Sequence, residues 1–314
     1  LPRNSMPDLE EARELVKQGN VPALAMLYDS VPDVLSQLIR TAFIPSKNHH
    51  FYVADFSAVE ARVIAWLSNE KWRQESFAKN EDIYCASASQ MFGVPVVKHG
   101  INGELRQKGK IAELALGYGG SIGALKAMGA TKLGLTDDEL PPLVQMWRNA
   151  SPHIVQFWWD VDKAAKACIK THLPQESHGM KFAYRSGCMF LKLRSGRSLC
   201  YPQPKIGINR FGSESITFMG INTVKKWSRI ETYGAKLVEN IVQATSRDLL
   251  AEAMRRLEAA GNPAVMHIHD EAVIEAPTGR SLATMVKIMT EVPDWANGLI
   301  LNAAGFVGDF YKKD

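Results

Sequence analysis

The runs that pattern as strand lie toward the two ends of this chain, and residues 82–161 between them pattern almost throughout as helix. Near the start, His50-Phe51-Tyr52-Val53-Ala54-Asp55 is rich in aromatic and β-forming residues and ends on a carboxylate. Ser57 suits an N-cap, and Val59, Val63, Ile64 and Leu67 follow at helical spacing, so a strand feeds a helix. Near the end, residues 264–268 and 272–276 read as two strands around a tight His269-Asp270-Glu271 turn, which puts carboxylates at a hairpin tip. A sheet drawn from distant segments, with helices between, is an α+β domain interrupted by a helical one.

Finer punctuation supports this division. Short helices are expected over 8–18 and 21–29, and 37–44 leads into a Pro45-Ser46-Lys47-Asn48 turn. The helical insert is broken at Gly93-Val94-Pro95, at Gly117-Tyr118-Gly119-Gly120 and at Pro141-Pro142. Residues 181–218 alternate short β runs such as Met189-Phe190-Leu191-Lys192-Leu193 with Gly and Pro turns. A long amphipathic helix is expected over about 234–260, stopped by Gly261-Asn262-Pro263, and another helix near 279–291.

Composition narrows the class only a little. With 314 residues and 46% apolar content the chain can bury a sizeable core. Its 37 basic and 33 acidic residues, net +4, tolerate a polyanionic partner without demanding one. Cys85, Cys168, Cys188 and Cys200 form no CxxC pair, so neither a zinc ribbon nor a disulfide framework is indicated. No apolar run approaches the roughly 18 residues of a bilayer span, so no membrane partner is expected. The chain opens Leu1-Pro2-Arg3-Asn4-Ser5-Met6-Pro7-Asp8 with no initiating Met, which reads as a piece of something longer.

Asp55 and Asp270 are the first candidates for chemistry. Transfer at a phosphorus centre is largely electrostatic, and two divalent ions about 3.5–4 Å apart, held by carboxylate oxygens, serve it well. Asp55 ends one strand and Asp270 sits on a turn, so neighbouring strands of one sheet would bring both to a common edge. Taken singly, each has an ordinary reading as a strand-end cap or a turn former. His267 and His269 also permit a zinc-hydrolase reading, although no third histidine follows at a useful spacing. Alternation would place both histidines on one face with Glu271.

A second constellation lies in Arg106-Gln107-Lys108-Gly109-Lys110-Ile111-Ala112-Glu113-Leu114-Ala115-Leu116-Gly117-Tyr118. Arg106, Lys110, Leu114 and Tyr118 recur every four residues and form one helical stripe. Cations at one end suit a triphosphate, and a flat ring further along suits a sugar or base. A solvated basic face ending at a glycine C-cap is the plainer account. The glycines 117, 119, 120 and 123 do not spell a dinucleotide-binding loop, since a helix precedes them.

Three separated motifs together resemble one family. Asp55-Phe56-Ser57-Ala58-Val59-Glu60-Ala61-Arg62 resembles motif A of family A DNA polymerases, the stripe from Arg106 to Tyr118 resembles motif B, and His269-Asp270-Glu271 resembles motif C. Leu38-Ile39-Arg40-Thr41-Ala42-Phe43-Ile44-Pro45 resembles the lead-in to motif A, and Gln243-Ala244-Thr245-Ser246-Arg247-Asp248 the helix before motif C. The spelling is most similar to phage and prophage polymerases, with bacterial DNA polymerase I more distant.

The resemblance implies a right-hand α+β architecture, with an antiparallel palm sheet, an inserted helical fingers domain and a thumb largely absent. Residues 1–80 would be the first part of the palm with a remnant of the thumb connection, 81–180 the fingers, and 181–314 the rest of the palm. It implies template-directed addition of deoxynucleotides to a primer 3′ end, in phage or prophage replication. Asp55 and Asp270 would hold two Mg2+ ions, with Mn2+ able to substitute and the Phe56 carbonyl a further ligand. Glu271 would support them beside the primer end. Arg106 and Lys110 would grip the triphosphate, and Lys110 would protonate the leaving pyrophosphate. Tyr118 and Glu60 would pack under the sugar, Glu60 excluding a 2′-hydroxyl. Arg62, Gln243 and His269 would touch primer-template DNA. A monomer acting in the cytoplasm of a bacterial cell or infected host is implied as well.

Some positions depart from the family pattern. Leu114 stands where relatives often carry Phe or Tyr, Tyr84 replaces a phosphate-contacting His, and Ala235 and Glu239 replace an Arg and an Asn, with Lys236 and Asn240 one position along. The alternative is a DNA-binding polymerase fragment, inactive without its thumb and upstream domains. Glu60 argues against a single-subunit RNA polymerase.

Overall fold

The computed structural model describes residues 6, 8–209 and 211–312; most of the polar opening stretch and the last two residues lie outside it. In chain order the elements are α1 (Leu9–Lys17), α2 (Val21–Leu27), α3 (Val31–Leu38), β1 (His49–Phe56), α4 (Val59–Ser68), α5 (Lys71–Ala78), α6 (Ile83–Phe92) and α7 (Leu105–Leu116). Then come α8 (Ile122–Ala127), α9 (Leu140–Ala150), α10 (Pro152–Thr171), β2 (Gln175–Ser177), β3 (Met180–Arg185), β4 (Cys188–Lys192) and β5 (Ser198–Pro202). They are followed by β6 (Lys205–Ile208), β7 (Glu214–Ile221), β8 (Trp227–Thr232), α11 (Gly234–Ala259), β9 (Ala264–Ile268), β10 (Glu271–Pro277), α12 (Leu282–Met289) and β11 (Ala303–Gly308). Helices mixed with antiparallel sheets make the chain α+β, as its pattern of distant strands requires.

The chain divides into two compact units. Unit 1 comprises 1–57, 250–291 and 302–314; unit 2 comprises 58–249 and 292–301. In unit 1, α1 to α3 close around Ala12, Leu24, Val34 and Leu38. Its sheet has the order β11-β1-β10-β9, with every neighbour antiparallel. One face gathers Phe51, Val53 and Val273 with Tyr311. Helix α12 packs on β1 and β11, and Gly305 allows close approach there, since a Cβ would run into the Val53 carbonyl.

In unit 2, α4 to α10 form a helical body, followed by the antiparallel sheets β2-β3-β4-β5 and β6-β7-β8. Helices α6 and α7 lie close because residue 109 is glycine; a Cβ there would collide with the Tyr84 carbonyl. On α7 the buried residues are Gly109, Ile111, Ala112, Ala115 and Leu116, and this face carries one acid. The Glu113 carboxylate accepts from Arg73 of α5 at 2.5 and 2.7 Å, from the Ser87 hydroxyl of α6 at 2.6 Å and from the Trp147 indole of α9 at 2.8 Å. Arg73 also donates to Ser151 at 2.9 Å. Four helices are therefore tied at one buried ion pair. Burial alone would push the Glu113 carboxyl upward, but the Arg73 charge and the three donors outweigh it, so the group is held below the usual carboxylate range.

Three local expectations are corrected. Ser57 is not the N-cap of α4: the cap position is Ala58, in a left-handed conformation at φ 52°, with no side-chain cap bond. Ser57 itself still follows the sheet, its N–H donating to the Asn302 carbonyl at 2.8 Å. Pro141 and Pro142 do not interrupt a helix but lie in the first turn of α9, where a missing N–H costs nothing. Glu271 is the first residue of β10 rather than part of the turn.

The buried pair generates a graded expectation. Glu113→Ala leaves Arg73 charged and unpaired and should lower the unfolding free energy in urea by about 3–5 kcal/mol. Lys108→Ala, which breaks the exposed 3.2 Å pair with Glu139, should cost far less, because solvent screens that pair. Equal effects would mean that the Glu113 cluster is not the tie between the helices.

Candidate active site

In unit 1, Asp55 lies on β1 and Asp270 on the turn just before the adjacent strand β10. Asp55 pairs with Glu271 in the β1–β10 register, and Phe56 N–H donates to the Asp270 carbonyl at 3.3 Å. Asp270 thus immediately precedes the residue paired with Asp55, and the two strands run about 4.8 Å apart. The hairpin tip is His269-Asp270, with His269 at φ 56° and exposed. Both aspartates are half-buried as residues, and the Oδ1 oxygen of Asp55 is enclosed.

Directly paired strand residues share a face. Asp55 and Glu271 therefore lie on the face of Val53, Val273 and Tyr311. Glu271 is 1% exposed, and the Tyr311 hydroxyl donates to it at 2.5 Å while accepting from Arg40 at 2.9 Å. Burial, then the bond to Glu271 and its charge, push the Tyr311 phenol far up, so it stays a donor. Tyr311 N–H donates to the Phe43 carbonyl at 3.0 Å, which fixes the ring from the backbone side. His267 pairs with Ala272, on the face opposite Glu271, contrary to the expected grouping of His267, His269 and Glu271.

Unit 2 supplies the second group. Helix α7 carries Arg106, Lys110 and Leu114 on successive turns, with Leu114 52% exposed. The helix stops at Leu116, so Tyr118 lies beyond it, past Gly117, rather than on the stripe. Gly119 follows at φ 76°, and a Cβ there would strike Ala235 of α11, so the turn is pressed against that helix. Tyr118 donates to the Glu60 carboxylate at 3.1 Å. Burial first, then the Glu60 charge and hydrogen bond, push its phenol well above the usual value, keeping it protonated.

At the other end of α7, Arg106 bonds Asp82 through Nε at 2.8 Å and Nη2 at 2.7 Å, and its guanidinium lies over the Tyr84 ring at 5.2 Å. Asp82 also caps α6, accepting from Tyr84 N–H at 2.9 Å and Cys85 N–H at 3.3 Å. Burial raises the Asp82 carboxyl, but these donors and the Arg106 charge prevail and hold it below the usual range.

The three residues expected at DNA differ in exposure. Arg62 is 6% exposed, stacked over Phe77 at 4.4 Å and donating to the Ile300 carbonyl at 3.2 Å, so it serves packing within unit 2. Gln243 is exposed on α11, beside an anchored turn of that helix: Arg197 donates to the Ala244 carbonyl at 2.7 Å and pairs with Asp248 at 2.6 Å. Lys236 is paired with Glu239 at 2.8 Å, and Asn240 donates to the Tyr201 hydroxyl at 3.0 Å. The sequence did not single out Asp82, Glu113 or Tyr311 for these roles. The only signal for Glu113 was an acid set among apolar positions of α7.

The model of DNA polymerase family A matches residues 20–178. A DNA polymerase of Bacillus phage SP02 is 54% identical over 317 residues, covering 100% of this chain and 49% of that protein. The thermostable DNA polymerase I of Thermus aquaticus is 25% identical over 254 residues, 79% of this chain and 25% of that protein. The chain therefore spans half or less of these relatives. Among solved structures, the POL domain of Pol1 from M. smegmatis, in complex with DNA primer-template and dNTP, superposes with a TM-score of 0.59 at 19% identity, covering 88% of this chain and 42% of that one, a likeness of fold.

Two measurements test the two hydrogen-bonded supports. Tyr311→Phe removes the hydroxyl from between Arg40 and Glu271 and should lower the unfolding free energy by about 1–3 kcal/mol. Because the Asp82 carboxyl is depressed on folding, its contribution is present above the unfolded value of about 3.9 and is lost as pH falls through the folded value. The urea midpoint of Asp82→Asn should therefore decline less on acidification than that of the parent chain; parallel declines would remove Asp82 from the acid response.

Proposed function

The chain belongs to DNA polymerase family A, and from that membership we propose that it catalyses template-directed addition of deoxynucleotides to a primer 3′ end. The observation that carries the reading is the pair Asp55 and Asp270, the first at the end of β1 and the second on the turn that leads into the adjacent antiparallel strand β10. The donor set suits hard divalent ions: two carboxylates and the Phe56 carbonyl are all oxygen, with no thiolate or imidazole among them. Mg2+ fits this chemistry, with Mn2+ as a substitute. Two such ions, when bound, would lower the cost of deprotonating the primer hydroxyl and neutralise the charge on the phosphates.

The residues do the rest of the work. The primer 3′-oxygen loses its proton to water and bonds to the α-phosphorus; the bond from that phosphorus to the bridging oxygen breaks, and pyrophosphate leaves. Lys110, half-buried one turn beyond Arg106, would give the leaving oxygen a proton, and Arg106 would hold the phosphates bidentately. Glu60, fixed by Tyr118, would fill the space of a ribose 2′-hydroxyl. Glu271, bound to Tyr311, would brace the hairpin that carries Asp270 rather than meet substrate directly. Tyr84 would stand at the phosphate end, Leu114 beside the nucleotide, and Gln243 and His269 would contact primer-template DNA. In domain terms, the unit 1 sheet would be the palm and α6 to α10 the fingers. The reaction would be run by a monomer inside a bacterial cell or infected host; among the described residues no helix is long and apolar enough to cross a membrane.

The share of the phage relative that is matched, 49%, favours a second reading, in which the chain grips DNA but needs further segments to polymerise. Primer extension by the 314-residue chain decides between them. Extension with Mg2+ should fall by about a thousandfold or more in Asp55→Ala and Asp270→Ala, and Glu60→Ala should incorporate ribonucleotides that the parent chain rejects. Full activity in either aspartate variant would sink the assignment, and tight DNA binding without extension would select the second reading.

A further inference from the structure

The sheet β6-β7-β8 of unit 2 has one engaged face and one open face. On the engaged face Phe218 meets the buried Tyr201 of β5 edge to face at 5.0 Å, and Tyr201 is bonded to Asn240 of α11. On the open face the register sets Ile221 opposite Trp227, Met219 opposite Arg229, and Thr217 opposite both Glu231 and Lys205. Trp227 is 61% exposed and Ile221 68%, an unusual cost for an aromatic ring on a small sheet. The β7–β8 turn adds Val224, 68% exposed, and the exposed Lys225 and Lys226. Arg229 is fixed by bonds to the Gln203 carbonyl at 3.1 Å and the Thr217 hydroxyl at 3.2 Å, neither of which neutralises its charge.

The charge balance selects the occupant. The open face carries Lys205 and Arg229 with a single acid, Glu231, and the turn beside Trp227 and Ile221 adds Lys225 and Lys226. An apolar protein segment would cover Trp227 and Ile221 and leave the cations unanswered. Duplex DNA would answer the cations but keeps its base faces stacked, with nothing to offer the ring. An unpaired strand satisfies both, because its bases stack on aromatics while its phosphates meet Lys and Arg. The template strand ahead of the primer end is the unpaired strand present in every turnover of the proposed reaction. Resting on that reading, we propose that this sheet face holds the unpaired template, with Trp227 stacking on a base and Lys225 and Lys226 on the backbone.

The test is fluorescence anisotropy of the 314-residue chain on labelled primer-templates carrying either a single-nucleotide or a long unpaired template overhang. Trp227→Ala should weaken binding to the long overhang about tenfold and leave the short one unchanged, and Trp227→Phe should restore it. Lys225→Ala with Lys226→Ala should reduce the slope of log affinity against log salt by about 1.4 on the long overhang alone. Equal losses on both substrates, no loss on the long one, or a loss seen only when a displaced 5′ flap is present would each overturn the proposal. Primer extension on the short overhang, which Trp227→Ala should leave at the parent rate, reads the polymerase assignment separately. Absence of extension in both proteins strikes that assignment, whereas intact extension with unchanged long-overhang binding strikes only the template face.

Discussion

The antiparallel ladder between β1 and β10 sets the positions of Asp55, Asp270 and Glu271. β1 lies inside the sheet, flanked by β10 and β11, and both partners come from the far end of the sequence. Because side chains alternate along a strand, a slip of one residue would carry Asp55 to the opposite face and remove Glu271 from Tyr311. The apolar residues hold the register against this. Phe51, Val53 and Val273 share the face of Asp55, and a slip would expose them together with it. The chemistry of the carboxylates is thus specified by their hydrophobic neighbours, with Tyr311 and Arg40 answering the one acid that the same register buries.

In unit 2 a buried ion pair does comparable work by different means. Glu113 faces inward from α7, and Arg73, Ser87 and Trp147 reach it from three other helices. Such a pair adds little net stability over an apolar cluster of the same shape, but it tolerates only one arrangement of donors. Glu113 lies three residues beyond Lys110 and one before Leu114, so fixing its rotation about the helix axis fixes the outward stripe as well.

The elements legible in the sequence were those written in their own residues. β1, the hairpin strands β9 and β10 and the long helix α11 follow from alternation, helical spacing and a Gly-Asn-Pro stop that any local reading can find. What local pattern could not supply was the partner. Ser57 has the chemistry of a cap, but its N–H is taken by Asn302. Arg62 has the charge of a DNA contact, but Phe77 and Ile300 enclose it. Tyr118 keeps the four-residue spacing of the stripe, yet the helix ends before it, and its bond to Glu60 comes from the turn instead. Tyr311 carried no signal, because its meaning depends on a carboxylate that only the closed sheet brings near.

The two salt bridges of the α7 region differ in a way that bears on the proposed nucleotide site. Glu113 and Arg73 are almost wholly enclosed, and parting them would strand both charges. Asp82 and Arg106 keep 28% and 22% of their side-chain surface in contact with solvent, where ion pairs contribute on the order of 0–1 kcal/mol. A triphosphate offers several negative charges to a guanidinium whose two-pronged geometry Asp82 already holds open, so the exchange of one carboxylate for phosphate oxygens is a small step. Asp82 would not be left stranded by it, because the N–H groups of Tyr84 and Cys85 still donate to its carboxylate. The enclosed pair keeps the helix still, and the open pair keeps Arg106 extended and exchangeable.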